Sequence, residues 1–158
     1  MGKWMACLML SEAIAASGAL RIMLSVVTRN RFWHHALSTL SLLEALQYVV
    51  KRRPDISFEW HILDDASDAG QRKRKDAMVE DLVQRGFVAN YTKLSRRSGT
   101  VKVLRHVIDT FLARADLDLF LHSDDDVLFG QTTLLRVVQD YVKDLLSGRW
   151  HSTGEGNG

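Results

Sequence analysis

The sequence has 158 residues, enough for one compact domain with a buried core and not comfortably enough for two. Hydrophobic residues make up 46% and charged residues 25%, which excludes a disordered or collagen-like chain. A net charge of +2, with basic residues only in short clusters (Arg52 with Arg53, 72–75, Arg96 with Arg97), excludes a nucleic-acid-binding stripe, and the one cysteine, Cys7, excludes an internal disulfide framework and a Cys-based zinc site.

In residues 1–19, Lys3 precedes the apolar run 4–10, and small residues fill 15–19, the layout of a weak signal peptide. Ser11 and Glu12 interrupt the run, and no stretch reaches the roughly 20 residues of a membrane span. The segment is expected to be a short amphipathic or frayed terminus of a cytoplasmic protein. A secretory location or membrane association would require it to act as a signal or anchor. Residues 20–28 form a nearly continuous apolar, β-branched run, which predicts a strand buried on both faces of a parallel sheet. From 32 to 51, Leu37, Leu40, Leu43, Leu46, Val49 and Val50 recur at three- and four-residue steps and predict a helix of about five turns.

Pro54 breaks that helix, and 56–63, with alternating Ile56, Phe58, Trp60 and Ile62, predicts a second strand ending on Asp64 and Asp65. A charged helix is expected over 72–85, with Ala77, Met78, Leu82 and Val83 as its apolar contacts and Gly86 as its C-terminal cap. A short third strand falls within 87–94. After the polar loop 95–99, an amphipathic helix over 100–114 turns Val103, Leu104, Val107, Ile108 and Phe111 inward. Leu117, Leu119, Phe120 and Leu121 predict a fourth strand that runs into Ser123, Asp124, Asp125 and Asp126, followed by a helix over 131–146. The glycine-rich tail 147–158 carries no periodicity and is expected to be disordered. Strands alternating with helices imply one α/β domain over 20–146, a Rossmann-like three-layer α/β/α arrangement around a mostly parallel sheet.

Ligands of open α/β sheets bind outside the carboxyl ends of the strands, so residues 28–31, Asp64 with Asp65, and 124–126 are the candidates for chemistry. Adjacent aspartates repel unless a cation relieves them, and Mg²⁺ or Mn²⁺ takes one or two protein carboxylates together with substrate phosphates. An Asp-rich turn can also be only a solvated loop or a helix cap. Its position directly after a buried strand favours the functional reading. His34 and His35, a pair at a helix start, are expected to be exposed and structural, and Trp33 and Trp60 to lie in or near the core.

Three segments together carry a resemblance: Leu-Ser-Val-Val-Thr-Arg-Asn-Arg at 24–31, Ile-Leu-Asp-Asp-Ala-Ser-Asp at 62–68, and Phe-Leu-His-Ser-Asp-Asp-Asp-Val at 120–127. In order and spacing they resemble three successive blocks of GT-A fold glycosyltransferases of the family 2 type, over about residues 21–142. The resemblance implies the nucleotide-sugar-binding half of such an enzyme, transferring a sugar from a nucleotide diphosphate sugar to a glycan, lipid or protein acceptor with Mn²⁺ or Mg²⁺. It implies that Thr28 and Asn30 lie near the nucleotide, that Asp64 or Asp65 contacts base or ribose, that Gly99 and Arg105 lie near the diphosphate, that Asp125 belongs to the donor site, and that Asp124 and Asp126 bind the metal. The family's proline before the first loop is missing, and His122 stands where many members have another aspartate. The acceptor-binding half that follows the metal motif is almost absent, so the domain reads as truncated and the catalytic residues as unassigned. A nucleotidyltransferase is the first alternative, although 28–31 lacks the glycines of its first loop. A non-catalytic α/β interaction domain is the second.

Overall fold

The computed structural model describes residues 19–146, so the expectations for 1–18 and for the tail 147–158 lie outside the described residues. Chain order is β1 (Leu20–Thr28), α1 (Phe32–Arg52), β2 (Ile56–Asp64), α2 (Ala69–Gln84), β3 (Asn90–Lys93), α3 (Thr100–Leu112), β4 (Leu119–Asp124) and α4 (Thr133–Leu146). The strands form one fully parallel sheet in the order β3-β2-β1-β4. Every element expected from the pattern is present. The main departures are in length: β3 keeps only four residues, α2 starts three residues before the expected 72, and β4 begins at Leu119 and continues to Asp124.

Alternation along β1 sends its side chains to two separate cores. Leu20, Ile22, Leu24 and Val26 pack with Leu42, Ala45, Leu46 and Val49 of α1, Val79 and Leu82 of α2, and Leu134 and Val138 of α4. Met23 packs on the opposite face with Leu63, Leu117, and Val103 and Val107 of α3. Three helices therefore cover one face of the sheet and one covers the other. Among the described residues no helix is long and apolar enough to cross a membrane.

The inward faces of two helices are rotated from those read in the sequence. α1 buries His35, Ser38, Thr39, Leu42, Ala45, Leu46 and Val49, leaving Leu37 58%, Leu40 57% and Val50 45% exposed. Trp33, expected near the core, is 68% exposed, whereas Trp60 is buried as expected. His35 is fully buried rather than exposed. α2 buries Lys75, Val79 and Leu82, spaced four and three residues apart, while Ala77 faces solvent. In both helices a polar residue near the sheet's carboxyl edge occupies an inward position, so a face chosen by hydrophobicity alone is turned too far.

The chain moves outward from β1 to β2 to β3, then returns to lay β4 on the other side of β1. In open α/β sheets a reversal of this kind is where ligands bind, here between the carboxyl ends of β1 and β4. Thr28 ends β1 and Asp124 ends β4, in adjacent register positions.

Candidate donor-binding site

Thr28 is buried, and its hydroxyl donates to Asp125 Oδ2 at 2.7 Å, joining the two strand ends. The chain then turns from β1 into α1 through Asn30 and Arg31, both left-handed at φ 53° and 44°. Asparagine tolerates that conformation; arginine holds it at a cost of about 1–3 kcal/mol, which surrounding contacts must offset. The Arg31 guanidinium donates to Asp125 Oδ1 at 2.6 Å and to Asp126 Oδ2 at 2.9 Å. Asn30 ties this turn to the next loop, with its side chain and the Asp68 backbone and carboxylate bonded reciprocally at 2.8 and 3.1 Å. Its own N–H donates to Ser67 Oγ at 2.7 Å.

At the end of β2, Asp64 and Asp65 make separate sets of contacts. Asp64 is buried beneath α2, with Oδ2 2.5 Å from Lys75 Nζ and Oδ1 accepting from the Ser67 N–H at 2.6 Å. Lys75, also wholly buried, further donates to Ser67 Oγ at 2.5 Å and to Thr28 Oγ1 at 3.3 Å. Burial pushes the Asp64 carboxyl up, but Lys75 and the Ser67 hydrogen bonds more than offset it and hold it below the usual carboxylate range. Burial lowers the Lys75 ammonium, and Asp64 restores part of that shift. Asp65 accepts from the backbone N–H groups of Ser98 and Gly99 at 2.7 and 3.0 Å, fastening the loop before α3. Gly99 takes φ +85° there, a conformation that strains any other residue.

The three consecutive aspartates at the end of β4 have different environments. Asp125 is buried and held by Thr28 and Arg31; Asp126 is 43% exposed and shared with Arg31; Asp124 is 69% exposed. The nearest charged partner of Asp124 is His122, with Nε2 at 3.9 Å, while His122 Nδ1 lies 2.8 Å from Ser25 Oγ. Burial lowers the His122 pKa, opposed by Asp124 and Ser25. Among the described residues no three His, Cys, Asp or Glu side chains gather into a metal-holding group. The exposed oxygens of Asp124 and Asp126 are hard donors suited to an ion that draws its remaining ligands from phosphate and water. Arg105 is outside this network. It lies 84% exposed on α3, 3.9 Å from Asp109 one turn on.

The fold, rather than the site, has a counterpart among solved structures. The fold is a Rossmann-like α/β fold with a parallel sheet. The crystal structure of residues 1–349 of TarS from S. aureus, a GT-A-like glycosyltransferase, superposes with a TM-score of 0.54 at 21% identity, over 76% of this chain and 32% of that one. The chain thus spans about a third of the length of that solved TarS chain, and the likeness is one of fold. No family model matches the sequence, and no curated protein does.

The network joins Thr28, Asn30, Asp64, Asp125 and Asp126, and brings in Asp65 and Gly99 through the loop before α3. The sequence pattern does not mark Lys75, Ser67 or the clamping role of Arg31. The spacing Lys75, Val79, Leu82 marks an inward helix face and is the signal that would have identified Lys75. Nothing in the linear pattern pairs Arg31 with aspartates more than ninety residues away.

Proposed function

We propose that the chain is the donor-binding part of a metal-dependent glycosyltransferase, one that takes a nucleotide diphosphate sugar and passes the sugar to a glycan, lipid or protein acceptor. The observation that carries this reading is the strand-order reversal between β1 and β4, where Thr28 and Asp125 bond across the two strand ends and Asp124 and Asp126 are exposed beside them. The shared fold supports it.

In this reading a bound Mn²⁺ or Mg²⁺ supplies Lewis-acid neutralisation of the leaving diphosphate. Asp124 and Asp126 would hold the ion. Thr28 and Asn30 would lie near the nucleotide. Asp64 and Asp65, both already engaged, act by fixing the loops around it: Asp64 through Lys75 and Ser67, Asp65 through the loop that carries Gly99. Arg31 balances the charge of Asp125 and Asp126, so the acidic turn keeps its shape before a cation arrives.

Calorimetric titration of UDP and GDP into the purified chain, with and without Mn²⁺, tests this. Binding of at least one nucleotide is expected to strengthen tenfold or more with Mn²⁺, and the Asp124→Ala, Asp126→Ala double variant is expected to lose that gain. A folded chain that binds neither nucleotide under any condition would instead support an α/β interaction domain whose aspartates are only a solvated turn.

A further inference from the structure

Wholly buried on α2, Lys75 touches two of the three strand-end loops and reaches the third through Thr28. An ammonium carries three N–H donors and no acceptor, and three oxygens surround this one: Asp64 Oδ2 at 2.5 Å, Ser67 Oγ at 2.5 Å and Thr28 Oγ1 at 3.3 Å. Those three contacts use every N–H group, and the proton directions around them follow. A hydroxyl that accepts from the ammonium must turn its own hydrogen elsewhere, and for Thr28 that hydrogen goes to Asp125 Oδ2 at 2.7 Å. Asp125 Oδ1 is left for Arg31, at 2.6 Å. Ser67 Oγ also accepts from the Asn30 N–H at 2.7 Å, which ties the turn after β1 to the same ammonium. A directed chain thus runs from Lys75 through Thr28 to the buried middle aspartate of the acidic turn.

Stability alone does not call for a lysine at this position. Lys75 shares its inward face with Val79 and Leu82, where an apolar side chain would pack, and exchanging a buried ion pair for apolar residues is often neutral or stabilising. An apolar pair cannot fix the direction of the Thr28 hydroxyl, which without the ammonium loses the donor that sets its rotation.

We propose that Lys75 is a positioning residue of the donor site: through Thr28 it orients Asp125, and so sets how the acidic turn presents its exposed carboxylates to a nucleotide diphosphate. The proposal rests on the donor-binding reading above. It gives Lys75 no contact with the ligand and leaves Asp124 and Asp126 in the roles assigned there.

Lys75→Met with Asp64→Leu removes the ammonium without stranding a charge, and Thr28→Val removes the next link alone. In chains that circular dichroism shows to be folded, each change is expected to weaken Mn²⁺-dependent binding of UDP or GDP about tenfold, and the two combined to weaken it no further, because both break the same chain. Thr28→Ser, which keeps the hydroxyl, should bind as the wild type does. In the nucleotide-free protein, hydrogen exchange at the Asp125 and Asp126 amides should quicken in Thr28→Val and in the Lys75, Asp64 double variant, and stay unchanged in Thr28→Ser. The buried Lys75 ammonium should also give a resolved nitrogen-proton NMR signal that shifts in Thr28→Val, a readout that needs no change at Lys75 itself. Binding losses that add in the combined variant, a folded double variant that binds and exchanges like the wild type, or an ammonium signal indifferent to Thr28→Val each overturn the role of Lys75 and leave the donor-site reading standing. A folded wild-type chain that binds neither nucleotide overturns the donor-site reading and this role with it.

Discussion

With no exposed surface, the Lys75 ammonium faces one carboxylate and two hydroxyls inside the protein. Removing one member of a buried ion pair strands the other charge, which costs about 3–5 kcal/mol, whereas replacing both by apolar groups is often nearly neutral. Lys75→Met is therefore expected to lower the unfolding free energy by about 3 kcal/mol in urea titrations, and Lys75→Met with Asp64→Leu to recover most of it. If the double variant is as unstable as the single, the stranded charge is not the cause. At this scale the sequence was only partly legible. Asp64, Asp125 and Thr28 could be marked because they follow strands. Lys75 and His35 could not, because a charged or titratable residue on a helix reads as solvated until the helix's rotation is known.

The rotation of α1 is itself measurable. Leu42 is wholly buried and Leu37 is 58% exposed, although both fit an amphipathic repeat. Leu42→Ala is expected to cost about 2–5 kcal/mol and Leu37→Ala within about 0.5 kcal/mol, by thermal or denaturant unfolding. The loop before α3 gives a second check. A Cβ on Gly99 meets nothing within 4 Å, so Gly99→Ala is opposed only by the backbone at φ +85°. It should cost about 1–3 kcal/mol and speed hydrogen exchange at the Ser98 and Gly99 amides that Asp65 holds. Element type and order were readable because strands buried on both faces and helices with periodic contacts leave strong signals. The lengths of β3 and β4 were not, since pairing partners decide where a strand stops.

Acid stability belongs to the whole molecule. Burial, and secondarily Lys75, lowers the His35 pKa to about 4, while the unfolded chain protonates it near 6.5. The unfolded state thus takes up a proton that the folded state refuses, and stability falls as pH drops from about 6.5 to about 4, by about 3 kcal/mol for this group. Asp64 works in the same direction at lower pH. Its folded pKa is depressed, so its contribution is present above the unfolded value and is lost as pH falls through the folded one. A series of melting temperatures should slope downward through the first window, and His35→Gln should flatten that part while leaving the decline below about pH 4. The overall α/β architecture was legible from strand and helix alternation. The strand order was not, because no local pattern reports on which side of β1 the last strand docks.

That order has a kinetic consequence. Thr28 and Asp125 are 97 residues apart, so their contact closes a long loop, whereas β1, β2 and β3 join through neighbouring helices. That contact is therefore completed only when β4 arrives, after the rest of the sheet has had the opportunity to form. A ligand seated between β1 and β4 would grip contacts absent from an early transition state, slowing the rate at which the folded chain comes apart while leaving the rate of its formation nearly unchanged.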